Sequence, residues 1–399
     1  MLTIVAVAIS VMLVLGVEKV RKQSKSSFTN TIAGTDLIVG ARSGPIQLLL
    51  YSVFRIGNPT NNISWQSYQE IAANPQVKWT IPISLGDSHR GYRVMGTHQD
   101  YFRFYRYGQK RPLKFVAGDV FDDLYDAVVG FDVAKQLNYQ LGQQIIIAHG
   151  AGATSFTQHK DKPFRISGIL AKTGTPVDRT VHVSLEAIEA IHLGWESGMP
   201  ASRVTAEQSR AFNLQPKVIT AFMVGLNSRI ASFKVQRMIN EYRNEPLLAI
   251  LPGVALQQLW SMISIVEQAL FTVSALVVAA GLLGMLTMLL ASLHERRREM
   301  ALLRSVGARP WHIFSLLMLE ATLIAIAGCA FGLFLLYAGL YVLQPIVENE
   351  FGIFIAITAP GTIELLFMLT VIGAAFITSL IPAWRAYRNS LADGVTMRI

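Results

Sequence analysis

Between Ala269 and Leu293 the chain carries no charged side chain, and the same is true from Ala321 to Leu343 and from Leu365 to Trp384. A helix needs about 20 apolar residues to cross the hydrocarbon of a bilayer, so each run is long enough to span one, the second in a helix that begins near Ile313. A fourth uncharged run, from Leu2 to Val17, opens the chain. It starts at Met1 without a basic leader and continues into EKVRKQSKSSFTN. That continuation reads as more helix rather than as a cleavage site, so a span is expected there and not a signal peptide. Composition agrees with a membrane protein, since 15% of the residues are charged against about a quarter in soluble domains.

No stretch between residues 26 and 255 has the length to cross. IQLLLYSVF at 46–54 is the longest apolar segment there, about half of what a span requires. The expected fold is therefore a membrane protein of four transmembrane α-helices, with a large α+β extracytoplasmic domain inserted between the first and second. The expected boundaries are 1–25 for the first helix and its outward extension and 26–255 for the domain. The second helix with its stalk follows at 256–293, a cytoplasmic coupling segment at 294–312 and the third helix at 313–343. An outer loop at 344–364, the fourth helix at 365–384 and a cytoplasmic tail at 385–399 complete the chain. Within the domain, β-branched alternation predicts strands at 35–41, 78–85, 92–97, 144–149, 164–170 and 180–185. Helical spacing, with serine caps in several cases, predicts helices at 64–74, 131–138, 184–193 and 228–244.

Charge sets the orientation. Nearly all of the net charge of +9 falls in three clusters, at 18–25, 295–309 and 385–398. Each abuts an apolar run, where headgroups and the positive-inside rule account for basic residues; a nucleic-acid surface is not expected. The short loop between the second and third runs carries Arg296, Arg297, Arg298, Arg304 and Arg309, so it belongs in the cytoplasm. The next loop carries Glu348, Glu350 and Glu364 and no base, and belongs outside. Counting back places the 26–255 domain outside, and leaves the basic residues Lys19, Arg21, Lys22 and Lys25 on the outer side against the rule. The one cysteine, Cys329, lies inside an apolar run, so the domain has no intramolecular disulfide to hold it.

The segment from His294 to Ala321 is the most informative. Met300, Leu303 and Gly307 follow one helical row and Leu302 with Val306 another beside it, an apolar face among arginines. Gly307 supplies a stop and Pro310 a restart into the third span. Such a helix either receives force from a soluble partner or lies on the headgroups.

The run ERRREMALLRSVGA closely resembles the segment between the second and third spans of FtsX-like permeases, the family that includes MacB-type exporters and lipoprotein-releasing permeases. IPAWRAYRNSLADGV at 381–395 is similar to the end of the same family. GDVFDD at 118–123, VVGFDVAKQL at 128–137, LGQQIII at 141–147 and GILAKTGTPVD at 168–178 resemble the MacB-type periplasmic core domain. The resemblance implies a permease subunit of an ABC transporter in a bacterial inner membrane, paired with a cytoplasmic ABC ATPase subunit and with a second permease copy or a paralogue. A periplasmic adaptor or lipoprotein and membrane lipids are the other implied partners. ATPase movement would pass through the membrane to a periplasmic domain acting on a lipoprotein, peptide or amphiphile. A non-transporting sensor or activator of cell-wall hydrolases is the alternative within the family. The ATPase-coupling residues on this reading are Arg296, Arg297, Arg298, Glu299, Met300, Leu302, Leu303, Arg304, Val306 and Gly307.

The chain has no G-x-x-x-x-G-K-[ST] loop. It is therefore not expected to be an enzyme or to bind a cofactor, with ATP and magnesium held by the partner. GAGATSF at 150–156 reads as a plain loop. No H-E-x-x-H occurs and the eight histidines are scattered, so no metal site is expected. Glu320, inside the third run, reads as an interhelical hydrogen-bond partner rather than a transport residue. Gly328 with Gly332, and Ala280 with Gly284, form small-residue rows suited to packing helices within one protomer or between two.

Overall fold

The computed structural model describes residues 2–150, 161–193, 204–351, 357 and 359–392. It divides into two compact units, Lys25–Met262 and Met1–Ser24 with Ile263–Ile399. The helices that matter are α1 (Leu2–Thr31), α2 (Trp65–Ala72), α3 (Phe131–Leu137), α4 (Leu185–His192), α5 (Ser232–Asn240), α6 (Pro252–Glu295), α7 (Arg297–Ser305), α8 (Pro310–Phe351) and α9 (Thr362–Ala392). The strands are β1 (Leu37–Ala41), β2 (Val77–His89), β3 (Tyr92–Thr97), β4 (Phe115–Gly118), β5 (Asp126–Val129), β6 (Ala148–His149), β7 (Phe164–Leu170), β8 (Thr180–Ser184), β9 (Ala221–Leu226) and β10 (Leu247–Ile250).

The first of these units is built on one mixed sheet in the order β10-β1-β9-β2-β3-β8-β5-β7-β4, with β6 added to β2. β8 runs parallel to β3 and β7 parallel to β5. Alternate side chains of β1 enter different cores: Ile38 joins Ile81, Met95, Tyr101 and Met223, while Leu37 and Val39 join Ile71, Phe222, Val235 and Ile239. Farther along, Val94, Val129, Val181 and Ile191 form a third cluster. A sheet covered on both faces explains why β1, β5 and β9 are buried at every position and do not alternate in sequence. β5, β9 and β10 were not predicted as strands because they are short or carry few β-branched residues, whereas β1 and β8, equally buried, were read from theirs.

Local chemistry fixes the helices. The Ser64 and Ser184 hydroxyls accept the Ser67 and Ala187 N–H groups at the starts of α2 and α4, each satisfying a donor the helix cannot. The apolar stretch at 46–54 forms a short helix, Pro45–Leu49, running into one wide turn, Leu50–Phe54. Its Leu48, Leu49, Tyr51 and Phe54 are core residues. A Cβ on Gly40 would lie 2.7 Å from Leu48 Cδ1, so a glycine in β1 lets this segment close on the sheet. Of the glycine-rich loop at 150–156, residues 151–156 lie outside the described set.

In the other unit, three helices among the described residues are long and apolar enough to cross a membrane: Pro252–Glu295, Pro310–Gln344 and Thr362–Arg388. The run at 2–17 is helical as part of α1. It packs inside the bundle, with Val7, Val11 and Leu15 buried against Cys329, Leu336, Leu340 and Val371. A second layer joins Met285 and Leu289 to Ala321, Ala325 and Ala375. A third joins Ile313, Leu317 and Met318 to Ala383 and Ala386.

His182 in β8 is wholly buried, its ring 5.2 Å from that of Tyr101 and 5.8 Å from that of Phe102, centroid to centroid. Its Nδ1–H donates to the Val128 carbonyl at 3.2 Å. Burial, helped by the Arg55 charge, holds its pKa down to about 3 from an ordinary 6.5. The unfolded chain therefore takes up this proton near pH 6.5 and the folded chain does not until about 3. Stability present above pH 6.5 is lost on acidification at about 1.4 kcal/mol per pH unit. His182→Phe should flatten the fall in melting temperature between pH 6 and pH 4 by about that slope, measured on the full chain in detergent; an unchanged acid limb would contradict it.

Candidate coupling site

α6 ends at Glu295, the chain turns at Arg296, and α7 carries Arg297 through Ser305. Gly307 then takes φ +100°, and the Ala308 N–H reaches back to the Leu303 carbonyl at 3.0 Å. That bond, from the residue after a left-handed glycine to the last turn, ends a helix sharply. α8 restarts at Pro310, with the His312 ring Nδ1 accepting the Arg309 N–H at 3.1 Å.

Met300 is half-buried and packs on the layer formed by Ile313, Leu317, Met318, Ala383 and Ala386. Leu302, Leu303 and Val306 are 66%, 48% and 87% exposed, so the apolar rows read from the sequence part company: one residue anchors the helix and three project from it. Arg298 and Glu299 are exposed, and Arg297 and Arg304 belong to the same helix. The Arg296 guanidinium bonds Glu299 at 3.1 Å and Glu320 at 3.3 Å. Glu320 thereby ties α8 to the end of α6, and its partly exposed pair contributes at most about 1 kcal/mol.

The opposite end of the bundle holds the other basic cluster. Lys19 is 5% exposed and donates to the Tyr337 hydroxyl at 2.9 Å, with a Glu364 carboxylate oxygen 3.9 Å away. The second Glu364 oxygen accepts the Gly361 N–H at 2.6 Å, at the start of α9. Arg21 binds Glu18 through two N–H groups at 2.7 and 2.9 Å and lies 3.9 Å from Glu267. Acidic partners from α6, the first turn of α9 and α1 itself thus answer Lys19 and Arg21, two of the four bases that the positive-inside rule left unexplained.

Small residues decide where α1 meets α8. A Cβ on Gly328 would come within 2.7 Å of Val7 Cγ1, and one on Gly332 within 2.6 Å of the Ala8 carbonyl oxygen. This pair packs within one protomer. Ala280 and Gly284 lie exposed, with nothing within 4 Å of a Cβ on Gly284. Gly281, which sequence reasoning passed over, faces α1 instead, 3.0 Å from Ser10 Oγ. Its signal was its position one residue from an exposed small-residue row, which only the helix phase could resolve.

The histidines are not all scattered. His89 is satisfied in the core, between the Ile146 carbonyl and the Tyr139 hydroxyl, each at 2.7 Å. His149 and His192 instead converge on Asp87. Burial opposes charge on Asp87, yet hydrogen bonds from both histidines prevail and hold its carboxyl at about 2. Burial likewise opposes charge on His192, and the Asp87 bond overrides it to raise the ring's pKa. Separated by 62 and 43 residues, these three share no local motif that could have announced them.

A helical bundle with apolar faces turned outward, a large sheet domain in the same chain and a half-docked helix between two long apolar helices are the features of an integral membrane protein. The model for the MacB-like periplasmic core domain matches residues 1–241 and that for the FtsX-like permease C-terminal region matches 271–391. The chain belongs to this family. Membership supports an ABC transporter permease-type role, membrane localisation with a periplasmic domain, and partnership with an ABC ATPase subunit. Similar solved structures include the periplasmic region of MacB from Actinobacillus actinomycetemcomitans, at 11% identity and TM-score 0.36, covering 57% of this chain and 94% of that one. The extracellular domain of the noncanonic ABC-type transporter YknZ from Gram-positive bacteria is similar at 13% identity and TM-score 0.31, covering 54% and 99%. No curated protein matches the chain.

Gly332→Val should destabilise the bundle by about 1–3 kcal/mol, the usual cost of overpacking, while Gly284→Val should leave it unchanged. Thermal unfolding of the two variants in the same detergent checks this; equal effects would contradict the α1–α8 contact.

Proposed function

We propose that this chain is the permease subunit of an ABC complex in a bacterial inner membrane, with α1 as a fourth span, and that it relays ATPase movement to its periplasmic domain. α7 is the element that meets the ATPase. The observation that carries this reading is the exposure of Leu302, Leu303 and Val306 on a helix whose Met300 is packed into the bundle. A hydrophobic face fixed at one edge and open at the other fits a groove on a soluble partner. Headgroup contact alone would not require α7 to be anchored between α8 and α9. Arg298 beside that face would meet acidic residues of the partner, and Arg296 and Glu320 keep the turn before α7 in place.

Pressure on α7 would load α8 and α9 through the layer beneath Met300. The chain passes between the two units in α1 and α6, which are the covalent routes for that movement. Two permease copies, or this chain with a paralogue, would form the complex, with ATP and magnesium held by the ATPase. The cargo class is a lipoprotein, peptide or amphiphile acted on from the periplasmic side, with an adaptor or lipoprotein as a further partner.

Replacing Leu303 and Val306 together by Asp would place two charges in the proposed groove. Because burying an unpaired charge costs several kcal/mol, and 1.4 kcal/mol is about tenfold in binding, co-purification of the ATPase should fall at least about tenfold. Membrane insertion should be unaffected. Undiminished ATPase association by the double variant would overturn the assignment of α7.

A further inference from the structure

Asp87, His149 and His192 reach one point from three elements, each held by a separate feature of the fold. Asp87 lies on β2 at a register shift against β3, where Leu85 faces Met95 but Ser88 faces Arg93. One extra residue there breaks the strand's alternation and re-aims a side chain, and Asp87 is 2% exposed as a result. His149 sits directly opposite Asp87 in the β6–β2 pairing. His192 is the last residue of α4, and its Nδ1–H donates to the Ile188 carbonyl at 2.7 Å. That bond commits one ring nitrogen and leaves the Nε2 lone pair to face the other two residues, the arrangement by which an outer carbonyl orients a metal-binding imidazole.

The donor atoms are closely spaced. His149 Nδ1 lies 3.0 Å from His192 Nε2 and 3.1 Å from Asp87 Oδ1, and His192 Nε2 lies 3.5 Å from the same oxygen. Metal–ligand bonds of about 2.0–2.1 Å at tetrahedral angles set ligand atoms roughly 3.3 Å apart, so the three distances bracket the edge of such a site. A buried carboxylate whose ion-pair partners among the described residues are two imidazoles has its charge answered only if a cation or a proton sits among them. We propose that Asp87, His149 and His192 form a binding site for a divalent first-row metal of the zinc type, on the sheet domain and apart from the coupling helix. Two imidazoles and a carboxylate suit zinc and its neighbours rather than calcium or magnesium, which take oxygen ligands. Three protein ligands leave a fourth position for water or a partner's side chain. The His149 side chain is 56% exposed, which gives the ion a way in. Bound there, the metal would fasten the bulge of β2, the end of β6 and the C-terminus of α4 to one another.

The test uses the tag-free full chain in detergent, stripped with a chelator and titrated with cobalt(II) as a visible stand-in and with zinc(II) in competition. The expected result is one equivalent per chain, with the absorption bands of four-coordinate cobalt that zinc displaces. Magnesium should produce no response. His149→Ala and His192→Ala should each weaken binding by at least about 100-fold, beyond the 10- to 100-fold that loss of an outer partner costs. Zinc should also raise the melting temperature of the parent chain and of neither variant, since a ligand of the folded state stabilises it by mass action. His149→Ala removes a half-exposed ring and leaves His192 on Asp87, so in chelator it should fold with a lower melting temperature than the parent, and its affinity for cobalt decides the question even if His192→Ala fails to fold. Absence of cobalt bands, or affinity unchanged in His149→Ala, would overturn the proposal and leave the trio a hydrogen-bonded cluster that shares one proton.

Discussion

A charge left unpaired in hydrocarbon costs so much that charged side chains in a membrane protein must sit at its ends or find partners, and that constraint organises the membrane unit. At one end, Lys19, Arg21, Glu18, Glu267 and Glu364 answer one another, with the Tyr337 hydroxyl completing the shell of Lys19. At the other, Arg296 joins Glu299 and Glu320. Between the two lie stacked apolar layers held by Val7, Val11, Cys329 and Leu336 and then by Met285, Ala321 and Ala375. The buried pair at Lys19 is the more demanding of the two ends, because removing one partner from a buried pair costs about 3–5 kcal/mol. The Arg296–Glu320 pair is half open to its surroundings and so holds the turn before α7 less firmly than the buried pair holds the other end.

The close approach of α1 to α8 follows from the same solvent. Lipid offers no hydrophobic drive between helices, so they associate through tight packing at small residues. Gly328 and Gly332 let the backbone of α1 at Ala8 come within a distance no side chain would allow. With α1 held in this way, α1, α6, α8 and α9 form one bundle although the chain leaves the membrane unit for more than half its length between α1 and α6.

Much of this was legible in the sequence, and what was not has physical causes. The uncharged runs, the arginine-rich hinge, the Gly307 stop and the Pro310 restart depend on local chemistry and stand where the pattern put them. β7, with one face more open than the other, announced itself by alternation. β5 and β9, covered on both faces, show no such alternation, and β5 is too short and β9 has too few β-branched residues to be read as the equally covered β1 and β8 were. The rows containing Ala280 and Gly284 looked the same as those of Gly328 and Gly332, and only the rotation of α6 decides that Gly281 faces inward. The convergence of Asp87, His149 and His192 depends on a strand bulge, a two-residue strand and a helix end far apart in the chain, and no spacing rule reaches across such distances. At the hinge a headgroup-bound helix and a force-receiving one share the same residue pattern, and there the family resemblance implies the second reading where residue chemistry alone leaves both open.

Val306, at 87% exposed, is more open than Leu302 and Leu303 beside it, and Cys329 is the chain's one cysteine and is buried. A Val306→Cys, Cys329→Ala chain in native membranes therefore offers a single reactive thiol at the centre of the proposed contact. The account predicts that a short bifunctional reagent joins it to the ATPase subunit, with a yield that changes with nucleotide, and that a membrane-impermeant thiol reagent added to intact cells leaves it unlabelled. Labelling from outside, or a thiol that never reaches the ATPase, would contradict the claim that α7 is the cytoplasmic handle of the permease.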